Sequence, residues 1–166
     1  MIIMGVDPGS YITGWGVIEA TGSMLKYIDS GSVEIPKGKL FSTRLENIYR
    51  SLIGVTDKYS PEQAAIEDIF FCKNAKSALV LGHARGVALL ALKNGGCENV
   101  FQYSPRKIKM SVVGVGSAEK RQVQHMVKLI LGLKKTFKRE DESDALATAI
   151  CHANNTGRVT KDIKLL

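Results

Sequence analysis

The distribution of apolar and polar positions divides the chain into short elements. Ile2, Ile3, Met4 and Val6 form an apolar run that predicts a buried strand, and Asp7 ends it. Pro8, Gly9 and Ser10 supply a turn, and a second strand follows through Trp15, Val17 and Ile18, so the opening stretch is a hairpin. Met24 to Ile35 alternates loosely as a third strand, closed by Pro36 and Gly38. Leu45, Ile48, Leu52, Val55 and Tyr59 recur at helical spacing, and Pro61 stops that helix. Ala64 to Phe71, AAIEDIFF, is a short strand carrying Glu67 and Asp68. Asn74 caps a long helix from Ala75 to Lys93 that Gly95 and Gly96 end. Val100 to Tyr103 is a further strand, and Pro105 opens a helical turn that Gly114 and Gly116 break. Ser117 is the expected cap of a helix with the stripe Val123, Met126, Val127, Ile130 and Leu131. After the basic loop KKTFKRE, the last helix runs from about Asp141 to Asn154, and Thr156 to Leu166 is a loose tail.

The order β-β-β-α-β-α-β-α-α predicts an α/β domain over residues 1–155, a five-stranded mixed sheet with helices on both faces, and a tail over 156–166. In such sheets ligand chemistry gathers at the carboxyl ends of central strands, and Asp7 and Glu67 both fall near such ends. The 166 residues carry a net charge of +7, which favours a polyanionic partner. Cys72, Cys97 and Cys151 form no close pair, as expected of free thiols in a reducing compartment. The N-terminus has no basic region of a signal peptide, and no apolar run approaches the ~18 residues of a membrane span. A cytoplasmic protein is the expectation.

Acidic residues carry the candidate chemistry. A carboxylate at the mouth of an apolar strand, as at Asp7, costs desolvation unless cations or donors compensate it. The alternative is that Asp7 caps its own turn. Glu67 faces away from Ile66 by strand alternation, or is an edge residue paired with a lysine. Asp141 and Asp144 share one side of a helical first turn. The competing reading makes Asp141 an N-cap, with Asp144 favoured there by the helix dipole. Four carboxylates from two strands and one helix converge only if hard cations neutralise them, and oxygen ligation suits Mg²⁺ or Mn²⁺. Two such ions ~3.5–4 Å apart activate water and stabilise a leaving oxygen in phosphodiester hydrolysis. His83, His125 and His152 are scattered and offer zinc no cluster.

With these residues placed, the chain resembles the RuvC family of Holliday junction resolvases, which have the ribonuclease H-like fold. The resemblance runs through GVDPGSYITGWGVI, IEDIFFCKNAKSALVLGHARGVAL, VVGVGSAEKRQVQHMV and DESDALATAICHAN, in the family's order. It implies that Asp7, Glu67, Asp141 and Asp144 are the catalytic, metal-binding acids, the third being histidine in some members. It further implies a homodimer that nicks two strands of like polarity in recombination and repair. Mg²⁺ would support the cuts, two ions per site with Mn²⁺ as a substitute, leaving 5′-phosphate and 3′-hydroxyl ends. A junction-binding protein and a branch-migration motor are the implied partners.

For DNA contact, Phe70 and Phe71 follow the Glu67 strand, and the family places a junction-stacking aromatic at Phe70. Lys73, Lys76, Arg106, Lys107, Lys109, Lys120 and Arg121 flank the expected cleft, and the family has functional lysines at Lys109 and Lys120. The helix from Ala75 is apolar on nearly all sides, and Ala78, Gly82 and Gly86 leave a flat strip at four-residue spacing, which predicts a second helix packed against it. Two other readings compete. DPGSYITGWG also resembles the first phosphate loop of sugar kinases and actin-like ATPases, but the chain is too short for their second core and adenosine motif. A non-catalytic junction binder has no reason to place acids at Asp7 and Glu67.

Overall fold

Alternation along the first strand splits the core into two faces. The computed structural model describes residues 1–36, 38–68, 74–134, 136–156 and 164–166. Its strands are β1 (Ile2–Asp7), β2 (Ile12–Thr21), β3 (Met24–Glu34), β4 (Gln63–Glu67), β5 (Asn99–Tyr103) and β6 (Lys164–Leu165). Its helices are α1 (Phe41–Tyr59), α2 (Ala75–Asn94), α3 (Pro105–Val113), α4 (Lys120–Ile130) and α5 (Glu140–Asn155). Successive side chains of a strand point to opposite faces. Met4, Val6, Val17, Ala64 and Ile66 therefore meet Ile48 and Leu52 of α1 and Ala84, Ala88 and Leu92 of α2. Ile3, Ile18, Ala65 and Tyr103 meet Ile108 of α3, Val123 and Val127 of α4, and Leu146 and Ile150 of α5.

The strands lie in the order β3-β2-β1-β4-β5-β6. β1, β4 and β5 run parallel, and the other pairings are antiparallel. This is the expected mixed sheet with helices on both faces. It has one addition: Lys164 and Leu165, within the expected tail, pair with Gln102 and Phe101, and the Leu166 amide bonds the Val100 carbonyl at 2.9 Å. The end of the tail thus closes the β5 edge, whose backbone groups would otherwise lack partners.

Several boundaries differ from expectation for local reasons. β4 ends at Glu67, and the rest of its expected span, 69–71, lies outside the described residues, as do Cys72 and Lys73. The cap of α4 is Glu119, not Ser117, because the Gln122 side chain three residues on accepts the Glu119 amide at 2.8 Å. α5 starts at Glu140 with Arg139 at its N-cap, so Asp141 is not a cap. Asn74 caps α2 as expected, accepting from the Lys76 amide at 2.8 Å. Contrary to the reading of apolar runs, α2 is long and apolar enough to cross a bilayer by length and composition alone. Its mid-helix Arg85 is bonded into the protein and its Ala84, Ala88, Ala91 and Leu92 are buried in the core, so it is a core helix. Cys97 and Cys151 are free and buried.

The tightest packing joins α5 to the hairpin. A methyl group on Gly5 would lie 2.7 Å from the Ala149 amide nitrogen, and one on Gly16 would lie 2.6 Å from Leu146 Cδ2. A methyl on Gly14 would overlap the Asp141 carbonyl. Behind them Tyr103 donates to His152 Nδ1 at 2.8 Å, and His152 Nε2 donates to Gln63 Oε1 at 2.7 Å, tying β4 and β5 to the same helix. Burial holds His152 down to about 4, so it stays neutral in this chain of bonds.

Gly14→Ala is expected to destabilise by roughly 1–3 kcal/mol, since backbone must move to admit the methyl. Gly54→Ala, at a helical site with nothing within 4 Å, should stabilise by about 0.5–1 kcal/mol. Thermal unfolding of the two variants checks both signs; a Gly14→Ala protein as stable as the parent overturns the close-packing account.

Candidate active site

Asp7 and Glu67 are the last residues of two adjacent parallel strands, β1 and β4, so the sheet places both carboxylates at the same edge. α5 crosses that edge by its first turns. With Asp7, Glu67 and Asp144, the residues Pro8, Asp68, Leu81, Pro105 and Lys120 line a cleft of about 320 Å³. A second hollow of about 200 Å³ shares Glu67, Pro105, Lys120 and Asp144 and extends to Lys109. Asp141 lines neither hollow, yet its charge reaches both Asp7 and Asp144.

Electrostatics mark these acids as strained when ionised. Burial pushes Asp7 up to about 8, and the charges of Glu67, Asp144 and Asp141 push the same way. Burial, reinforced by Asp144, pushes Glu67 up to about 7, while Lys120 and Lys109 oppose it. Asp144 is raised by burial against the pull of Lys120. Lys120 Nζ lies 3.4 Å from Asp144 Oδ2 and 3.7 Å from Glu140 Oε2. It is the cation that partly offsets the acids. Among the described residues no three of His, Cys, Asp and Glu are clustered as ready-made ligands of one ion. The donor set facing the cleft is nonetheless oxygen only, which fits a hard divalent cation rather than zinc.

Of the expected DNA-contacting residues, Lys109 and Lys120 stand in the cleft walls. Lys76 and Arg121 are exposed on the first turns of α2 and α4 and line neither hollow. Phe70 lies outside the described residues. Two features of the site were not read from the sequence. Asp68 lines the cleft beside Glu67, because the strand stops at Glu67 and its alternation no longer applies. Arg85 of α2 donates to the Glu67 backbone carbonyl at 3.4 Å and to the Gln102 side chain, bridging the ends of β4 and β5. Nothing in the spacing of a lone arginine on an apolar helix signals that bridge.

The model of the family "Crossover junction endodeoxyribonuclease RuvC" matches residues 3–152. The chain belongs to the RuvC family. A RuvC crossover junction endodeoxyribonuclease of Alkaliphilus oremlandii is 46% identical over 165 residues, 99% of each chain. Thermus thermophilus RuvC, solved in complex with Holliday junction substrate, is 30% identical with a TM-score of 0.89, covering 100% of this chain and 99% of that one. The yeast mitochondrial Holliday junction resolvase Ydc2 shares the fold at a TM-score of 0.62 and 11% identity, over 92% of this chain and 78% of that one. The fold of this RuvC-family chain is accordingly ribonuclease H-like.

A carboxyl raised in the folded state stabilises fully below its ordinary range and loses that contribution as pH rises through its folded value, here about 8 for Asp7. Without metal, Asp7→Asn should therefore unfold a few degrees above the parent at pH 8.5, each kcal/mol being about 2–4 °C at this size. The gap should close toward pH 4. Thermal scans at both pH values check it, and a variant less stable than the parent at pH 8.5 contradicts the repulsion.

Proposed function

We infer that this chain resolves four-way DNA junctions as a crossover junction endodeoxyribonuclease. The observation that carries the reading is the carboxylate edge: Asp7, Glu67 and Asp144 in one cleft, with Asp141 behind them and Lys120 and Lys109 in its walls. Raised, mutually repelling carboxylates on two strands and one helix are an arrangement that a divalent cation relieves. We assign Asp7, Glu67, Asp141 and Asp144 as the acids that hold Mg²⁺, two ions per site, with Mn²⁺ as a substitute. Bound there, the metal supplies an activated water and a stabilised leaving oxygen. The chain's own residues do the rest. Asp7 and Glu67, at adjacent strand ends, would hold the metal and through it set where the scissile phosphate can sit. Lys120 and Lys109 hold the phosphate oxygens from the walls of the cleft. Lys76 and Arg121, being exposed, meet phosphates farther along the arms, and Phe70 stacks on a junction base.

Two incisions on related strands need two sites, and α2 offers the surface that pairs them. Ala78, Leu79, Gly82, His83, Gly86, Val87 and Leu90 line an open groove of about 510 Å³. Leu79 and Leu90 are 65% and 54% exposed, and nothing of the described chain approaches Gly82 or Gly86. An apolar strip with glycines at its floor suits a second α2. The homodimer would act in the cytoplasm with a junction-binding protein and a branch-migration motor.

A synthetic four-way junction should be cut in Mg²⁺ and left whole in EDTA. Glu67→Gln or Asp144→Asn should lose at least ~10³-fold in rate while binding the junction as tightly as the parent, because losing a carboxylate also removes repulsion of phosphate. Near-normal cutting by either variant contradicts the assignment of these acids.

The dimer has its own check. Sedimentation should give a dimer at micromolar concentration for the parent and a monomer for Gly86→Leu, with paired incision lost in the latter. A parent that sediments as a monomer yet makes paired cuts overturns α2 as the interface.

A further inference from the structure

Arg44 is buried, with 8% of its surface exposed, and its Nε and Nη1 atoms have no hydrogen-bond partner among the described residues. A guanidinium presents five donors and keeps its charge, so leaving two nitrogens unmatched away from water is costly. The group is held by rings: it lies 4.1 Å from the centre of Tyr11 and 4.9 Å from that of Phe41. Phe41 is the first residue of α1 and Arg44 the fourth, so the side chain leans back toward the helix N-terminus, as helical side chains do.

That N-terminus has no side-chain cap among the described residues. The N-cap is Leu40, which has no side-chain acceptor, and the first turn holds no acidic residue. The amides of Phe41, Ser42 and Thr43 find no acceptor among the described residues, while the Arg44 amide bonds the Leu40 carbonyl at 3.0 Å. A 19-residue helix directs its dipole and these donors out of the end at which Phe41, one of the two rings against the guanidinium, begins it. Lys39 and Ser42 are exposed beside it. The place matters too. Tyr11 belongs to the turn that follows Asp7, and Phe41 packs edge-on against His83 of the α2 groove, with 5.5 Å between centroids. The unmatched donors therefore lie between the catalytic edge and the groove.

Resting on the reading of this chain as a junction nuclease, we infer that the N-terminus of α1 and Arg44 form a subsite for one backbone phosphodiester of the bound DNA. Tyr11, 51% exposed, is the ring that moves aside to admit it. The phosphate takes the amides of the first turn and the free guanidinium nitrogens, matching both orphaned donor sets with one anion. The subsite anchors a strand beside the cleft and takes no part in the bond cleavage.

The test measures four-way junction binding in EDTA, by fluorescence anisotropy across a range of salt. Arg44→Met should raise Kd about tenfold at low salt and reduce the salt slope by about 0.9, one phosphate contact, with partial rescue by Arg44→Lys. Because Arg44→Met loses ring stacking and can fail to fold, Ser42→Asp provides an independent arm. An acid in the first turn favours the helix, so its melting temperature should hold or rise while its Kd rises. A role confined to folding predicts the stabilisation without the loss of binding. Junction binding unchanged in Ser42→Asp, or unchanged Kd and slope in a folded Arg44→Met, overturns the subsite. Either result does so even if inorganic phosphate raises the melting temperature of the parent, since the site then takes free phosphate only. A parent that binds no four-way junction overturns the nuclease reading itself, and is told apart by the parent's own titration.

Discussion

The approach of α5 to the hairpin is the constraint on which the site depends. Three positions without a side chain, Gly5, Gly14 and Gly16, let the helix backbone reach the sheet. At Gly14 the atom reached is the carbonyl of Asp141, so the contact that allows close packing also sets where the acidic first turns of α5 stand. Any residue larger than glycine there moves the start of the helix away from Asp7. The packing of an apolar core and the placement of the charged edge are thus one geometric problem, solved at the same positions. Tyr103, His152 and Gln63 brace the arrangement from the far end of α5, with each nitrogen of a neutral imidazole matched once.

Close packing carries an electrostatic cost, concentrated at the carboxylate edge. Asp7 and Glu67 each follow a fully buried strand residue, Val6 or Ile66, and are themselves half-buried. Desolvation is the largest cause of their raised pKa values, followed by the charge of Glu67 at Asp7 and that of Asp144 at Glu67. Lys120 reaches in from the first residue of α4, yet it is a partial remedy. Its side chain is 65% exposed and contacts Asp144 rather than the two strand acids. A site with this imbalance holds more negative charge than its own cations neutralise, and the DNA phosphates it is to receive add more. A bound cation of higher charge would offset both repulsions at once, which a lysine of single charge does not.

Much of this was legible in the sequence. The first five strands and four of the five helices followed from apolar runs and helical spacing, and their order implied helices on both faces; α3 was read only as a helical turn. Asp7 and Glu67 stood out as carboxylates against apolar runs. What was not legible depended on where an element stops. The expected strand ran on to Phe71 and gave Asp68 no role, but β4 ends at Glu67 and both acids line the cleft. Ser117 looked like a cap, but the pairing of Glu119 with Gln122 was stronger. Lys164 and Leu165 have too little pattern to predict a strand, since two residues gain order only from the edge they join. Arg44 and Arg85 were invisible for a different reason: their partners are rings and backbone atoms distant in sequence, and neither leaves a periodic trace.

Arg85 shows how far such a partner reaches. α2 buries Ala84, Ala88 and Ala91 against the sheet and turns Leu79, Gly82 and Leu90 outward. Between these faces, Arg85 holds the Glu67 carbonyl and the Gln102 side chain. The same helix thus carries the apolar groove on one side and the backbone of a cleft acid on the other. Small residues at the buried face keep α2 close to the strands, so it cannot slide along the sheet without pulling on β4. Whatever seats in the groove presses on a rigid body one hydrogen bond from Glu67. A homodimer seated on this groove, as proposed above, would therefore lie a short path from the geometry of that acid.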